Sequence, residues 1–158
     1  MAFQTIAEEL KKLVISWANK LENLPSPTIA ERRNSQDRSI RQIVGHMVDS
    51  ASNNTHRVVH LQYQESPVEY PNYATYRNND KWIAIQNYKE EDWNVLVNHW
   101  KFTHLHFIHV IRNVNKEKLD QQWIADTNQL VSLKDMVEDF PRHFKLHIKE
   151  IEELINLK

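Results

Sequence analysis

The sequence predicts an all-α protein, a four-helix bundle with a long loop between its second and third helices. Three observations carry that expectation. Four segments place apolar residues at three- and four-residue steps, the spacing that lines one face of an α-helix. One glycine and five prolines in 158 residues leave few chain breakers, which suits long helices better than a fold rich in tight turns. Four amphipathic stripes, finally, are buried most completely against one another. A chain of this length is the size of one domain, taken as 1–158.

The first stripe is Phe3, Ile6, Leu10, Leu13, Val14, Trp17 and Leu21, giving a helix from about 3 to 23. Pro25 and Pro27 end it, and the polar run from Thr28 to Asp37 reads as a connection. Helix two carries Ile40, Ile43, Val44, Met47, Ala51, Val58 and Leu61 on its apolar face, with Asp37 or Ser39 as N-cap. From Gln64 to about Glu90 the pattern breaks into a long aromatic-rich connection holding Pro67 and Pro71. A loop of that length packs on something or covers a site. Trp93, Leu96, Val97, Trp100, Phe107, Ile108, Ile111 and Val114 mark helix three, from about 90 to 114. After an irregular stretch, Ser132 followed by Asp135 resembles a capping box, and Leu133, Met136, Val137, Phe140, Phe144, Ile148, Ile151 and Ile155 trace a last helix that runs nearly to the C-terminus.

Composition removes several classes of function. A formal net charge of -1 offers no electrostatic excess for nucleic acid or anionic lipid. The absence of cysteine excludes disulfides, thiolate metal sites and thiol nucleophiles. The N-terminal segment alternates charged and apolar residues without a signal-peptide core, and no run of apolar residues is long enough to span a membrane, so a cytosolic location is expected. There is no P-loop, GxGxxG, GxSxG or HExxH motif.

Nine histidines are many for this length. His143 and His147 lie four apart, one turn of the last helix, so their rings can converge on one ion. Such pairs also occur on ordinary helix surfaces. Position on the helical wheel favours an inward pair, because His147 falls at the edge of the Phe140, Phe144 and Ile151 stripe with His143 beside it. An inward imidazole needs its nitrogens satisfied, and a shared ion satisfies one from each ring. Helix two offers a third ligand in His46, on a polar track with Ser50, Asn53 and Arg57. The competing reading of that track is a solvated flank. Gly45, next to His46, marks a place where backbone or ligand approaches closely. His104 falls mid-stripe on helix three and is expected buried, supporting or lining the site. His56, His60, His99, His106 and His109 read as surface or packing residues. Asp139 and Glu150 could orient the imidazoles by accepting their second N–H.

With these residues in place, the chain resembles the DinB-like superfamily, also called YfiT-like metal-dependent hydrolases. The likeness rests on SIRQIVGHMVDSASNNTHRVVHLQ around His46, WIAIQNYKEEDWNVLVNHW, and DFPRHFKLHIKEI around His143 and His147. The resemblance implies a bundle of up-down-down-up type with a divalent ion held by His46, His143 and His147. The chain departs from the family's pattern at His104, where many relatives have asparagine, and at Leu146, where they have a further histidine. Pro141 removes a backbone donor two residues before His143 and is expected to kink the helix.

Three neutral imidazoles leave coordination positions open for water or substrate. Nickel, zinc, iron and manganese all suit such a donor set. Two chemistries follow: attack of an activated water on an ester or amide, or attack of a metal-held thiolate on an electrophile. The resemblance alone favours the second, since it implies transferases and isomerases that use a low-molecular-weight thiol. The expected partner is a small-molecule substrate, with Ser50, Asn53, Arg57 and His104 lining or supporting the pocket and Arg57 holding a substrate carboxylate. The competing class is a non-catalytic bundle, a binding or dimerisation module with no physiological metal. A homodimer is compatible with five tryptophans and an aromatic loop.

Overall fold

Helix α1 (Ala2–Glu22) buries Leu10, Val14, Trp17 and Leu21, the stripe its spacing dictates. These elements come from a computed structural model that describes residues 2–126 and 128–158. A short helix α2 (Ser26–Glu31), with Pro27 in its first turn, replaces the irregular connection expected after Pro25. Proline at a helix start costs no hydrogen bond, so Pro27 begins this helix where the sequence reading took it only as a terminator.

Helix α3 (Ile40–Leu61) opens on a complete capping box. The Ser39 side chain accepts from the Gln42 N–H, and the Gln42 side chain accepts from the Ser39 N–H. Its expected apolar face is buried throughout. The segment expected to be a loop from Gln64 to Glu90 instead contains the two-residue strand β1 (Val68–Glu69), helix α4 (Asn78–Gln86) and a single 3-10 turn (Tyr88–Glu90). Helix α4 has no apolar stripe to announce it. Of its residues only Ile83 is buried, while Ile85 is 82% exposed and Trp82 is 40% exposed.

Helix α5 (Trp93–Arg112) is capped by Asp92, whose carboxylate accepts from the Val95 N–H. The stretch expected to be irregular before the last helix holds a hairpin, β2 (Gln122–Ala125) and β3 (Gln129–Ser132). Asp126 and Asn128 adopt positive φ at its turn, a conformation that short polar side chains tolerate. The strands form one small sheet in the order β1-β2-β3, parallel between β1 and β2 and antiparallel between β2 and β3. Ser132 caps α6 (Leu133–Ile155), which continues through Pro141.

In the bundle α1 and α3 each pack on both α5 and α6, so α1 lies diagonally opposite α3. The chain therefore crosses the bundle twice, from α1 to α3 and from α5 to α6. Trp100, Phe107 and Phe144 are almost wholly buried where α5 meets α6, and each such side chain contributes about 1.5–3 kcal/mol through its removal from water. Helix α3 packs more extensively on α5 than on α6. A cavity opens between α3 and α6, roofed by the segment around Tyr73 and flanked by Trp123 of the sheet. No helix among the described residues is long and apolar enough to cross a membrane.

Candidate metal centre

His46 projects from α3 into this cavity, and His143 and His147 project from successive turns of α6. The Nε2 atom of His147 stands 3.1 Å from His46 Nε2 and 3.2 Å from His143 Nε2. One ring nitrogen from each of the three lies within 4.8 Å of the others. Two metal–nitrogen bonds of ~2.1 Å span at most ~4.2 Å, so a common ion requires little movement of the rings.

Two of the rings are oriented from behind. His147 Nδ1 donates to Glu150 Oε2 at 2.8 Å. The hydroxyl of Tyr73 lies 2.7 Å from His46 Nδ1 and 3.4 Å from the His46 carbonyl oxygen, and metal binding through Nε2 requires Nδ1 to donate to that hydroxyl, which can in turn donate to the carbonyl. With Nδ1–H committed to these acceptors, both rings turn an Nε2 lone pair toward the centre. Burial works against ionisation of Glu150, but the hydrogen bond from His147 and the nearby charges of His147 and Arg38 hold its carboxyl below the usual range. Burial, together with the neighbouring His147, depresses His46 to about 2 and His143 to about 4. At neutral pH those two imidazoles are uncharged, the form that binds metal.

The arrangement leaves a conflict that protein groups do not resolve. Two nitrogens converge on His147 Nε2, which carries no hydrogen while Nδ1 donates to Glu150, so the lone pairs of His46 and His147 face each other with no hydrogen between them. A cation at the centre of the three rings satisfies all of them together. The donor set thus fits a divalent first-row ion, which His46, His143 and His147 would hold.

The cavity measures about 550 Å³. Beyond the histidines it is lined by Ser50, Asn54 and Arg57 of α3, by Met136 and Phe140 of α6, and by Trp123. Arg38 enters from the start of α3 and ties α4 down through a 2.6 Å ion pair with Asp80.

Several sequence expectations are corrected. Asn53 does not line the cavity; its side chain is turned back onto the Asp49 carbonyl oxygen, and Asn54 lines the cavity instead. On the wheel Ser50, Arg57 and Asn54 all lie to one side of His46, and Asn53 falls about 20° to the other. His104 is buried but is not part of the lining. Its Nδ1 donates to the Trp100 carbonyl oxygen at 2.6 Å and its ring packs on Trp100 and Phe144, beneath the site. Asp139 forms a two-pronged pair with Arg142 and does not hold His143. The close approach at Gly45 is that of the Tyr88 ring, not of a ligand. The sequence reading missed Tyr73, Arg38 and Trp123. For Tyr73 the available signal was the aromatic-rich connection expected to cover something.

No family model and no curated protein matches the sequence. Among solved structures, the chain is similar to YfiT from Bacillus subtilis, described as a probable metal-dependent hydrolase with an unusual four-helix bundle topology. The superposition has a TM-score of 0.82 at 18% sequence identity and covers 96% of this chain and 85% of YfiT. This chain therefore has the YfiT-like four-helix-bundle fold, with a three-histidine cluster able to hold a metal ion between α3 and α6.

Proposed function

We propose that the protein is a metal-dependent enzyme acting on a small molecule, either a low-molecular-weight-thiol S-transferase or a related hydrolase. The observation that carries this reading is the convergence of three imidazole nitrogens, two of them backed by Glu150 and Tyr73, at the wall of an open cavity. The description of YfiT as a probable metal-dependent hydrolase agrees with the reading.

His46, His143 and His147 would hold a divalent ion, which would supply Lewis acidity toward a thiol or water at neutral pH. The chain's own residues do the rest. Glu150 keeps the Nδ1 proton of His147 in place and adds negative charge behind the ring, which raises the basicity of Nε2. Tyr73 holds His46 in the matching orientation. Met136, Phe140 and Trp123 give the cavity apolar walls that exclude water from a bound substrate.

The test is elemental analysis of untagged protein and of His46→Ala, followed by a screen of the metal-loaded protein with several thiols and a model electrophile. One equivalent of a divalent metal is expected in the parent and a large loss in the variant, with thiol-dependent turnover only when the metal is present. Substoichiometric metal that is unchanged in His46→Ala would remove the basis of the proposal.

A further inference from the structure

Among the described residues, Arg57 is a buried cation without a counter-ion. Its side chain is among the buried polar groups, 6% exposed, and the guanidinium lies 4.2 Å over the Trp123 ring. Its only hydrogen bond among the described residues runs from Nη1 to Asn54 Oδ1 at 3.3 Å, and Nε has no partner. No carboxylate among the described residues pairs with it. A guanidinium has five N–H donors in a planar fork, and taking it out of water without a partner costs several kcal/mol. Burial already draws its pKa down to about 10, where it is still charged at neutral pH.

The position of this cation says what it is for. Arg57 lines the metal-site cavity and also a second cavity of about 390 Å³, which shares Arg57, Ala74 and Trp123 with the first. Asn54, the residue Arg57 touches, lies eight residues after His46 on α3, a rise of about 12 Å. Arg38, the other buried arginine of the cavity, is already paired with Asp80. The remaining charged groups of the main cavity's wall are acidic: Asp135, Asp139 and Glu150. One unpaired positive charge among carboxylates suits a single negative charge better than a phosphate dianion, and the fork geometry suits a planar carboxylate.

The geometry points to Arg57 as the binding site for a carboxylate of the substrate, set roughly 10 Å from the reacting atom at the three histidines, with the remainder of the molecule free to continue past Trp123 into the second cavity. This rests on the proposed metal chemistry for the identity of the reacting end, but the anion site itself does not.

The first experiment therefore uses metal-free protein. Hexanoate and its uncharged counterpart hexanamide are titrated in turn at pH 7.5 and followed by ¹H–¹⁵N NMR, which includes the Arg57 Nε–H signal. Hexanoate should bind at least tenfold more tightly than hexanamide and shift that signal. Arg57→Gln should abolish the preference, whereas Arg57→Lys, which keeps the charge but loses the fork, should retain part of it. Equal binding of the two probes to the parent protein, or a preference that survives Arg57→Gln, would overturn the inference. The parent comparison decides the matter even if a variant fails to fold. The second experiment loads the protein with Co²⁺ and compares 8-mercaptooctanoate with 8-mercaptooctanol through the thiolate-to-cobalt absorption band. In extended 8-mercaptooctanoate seven C–C bonds of about 1.5 Å, each advancing about 1.25 Å, together with the C–S bond place the sulfur about 10 Å from the carboxyl carbon. The carboxylate should tighten binding at least tenfold, and Arg57→Gln should erase the gain. Equal affinities would refute the spacing. A protein that takes up no cobalt would fail the metal reading while leaving the hexanoate result to stand or fall alone.

Discussion

Replacing Gly45 with alanine sets two effects of opposite sign against each other. Helix propensity favours the substitution, since alanine in a helix interior is about 1 kcal/mol better than glycine. Packing opposes it. A Cβ at position 45 would come within 2.7 Å of Tyr88 Cε2 and closer still to Cδ2 and Cγ, where ordinary contact begins at 3.4 Å. Tyr88 is 3% exposed and cannot swing into solvent. Its hydroxyl donates to Asp49 Oδ1 at 2.6 Å, and Asp49 is itself 2% exposed with its other oxygen lacking a partner. The ring must retreat by roughly 1 Å, an overpacking cost of about 1–3 kcal/mol. That retreat stretches the bond to Asp49 and leaves a buried carboxylate leaning on Gln86 alone, about 1–3 kcal/mol more. The net expectation is a loss of about 1–5 kcal/mol. Urea unfolding followed by circular dichroism measures it, with Tyr88→Leu as the second arm of a double-mutant cycle. In the Tyr88→Leu background the clash is relieved, and the alanine substitution should become neutral or stabilising. A rise in the unfolding midpoint of the single Gly45→Ala variant would refute the reasoning, because propensity would then have prevailed over the ring contact.

Two further outcomes follow from the site and its surroundings. Glu150→Gln preserves an acceptor for His147 Nδ1 but removes the charge that Glu150 places 2.8 Å from it, and metal affinity measured by competition with a chromophoric chelator should fall about 10–100-fold; affinity equal to the parent's would exclude a contribution from that charge. Burial depresses His104 to about 4, below the ordinary 6.5 that it regains on unfolding. The unfolded chain therefore takes up a proton that the folded one refuses, and stability is full above pH 6.5 and lost as pH falls toward 4. At pH 5 the loss from this one group is about 2 kcal/mol, at 1.36 kcal/mol for each pH unit. Urea midpoints of metal-free protein should show that dependence, and His104→Leu should lose about one proton's share of it; an unchanged slope would mean that His104 is charged in the fold.

The long helices were legible in the sequence because each carries its own burial pattern. Leu10, Val14, Trp17 and Leu21 declare α1, and Ile40, Ile43, Val44 and Met47 declare α3, while the choice of Ser39 over Asp37 as its N-cap came only with the structure. The HxxxH pair was legible for the same reason, since His143 and His147 share a helix face whatever the helix packs on. Helix α4 was not, because it buries only Ile83 and has no stripe. The hairpin was not, because its short strands are ordered by pairing with each other and with β1, a contact between segments more than fifty residues apart.

The site divides in the same way. Residue type and spacing determined which histidines could ligate, while the identity of their supporters depended on which elements met. Tyr73 reaches His46 only because the connecting segment folds back over α3. Arg57 meets the ring of Trp123 only because the hairpin packs beside α3. Asn53 and Asn54 are equally polar neighbours whose amides each donate to a carbonyl of their own helix, and the roughly 100° turn between them leaves only Asn54 on the cavity wall, where its Oδ1 accepts from Arg57. Local patterns fix what a helix can bury, since that information lies within one or two turns of chain; what a buried polar group meets is settled by long-range packing, and in this protein that packing made the chemistry of the pocket.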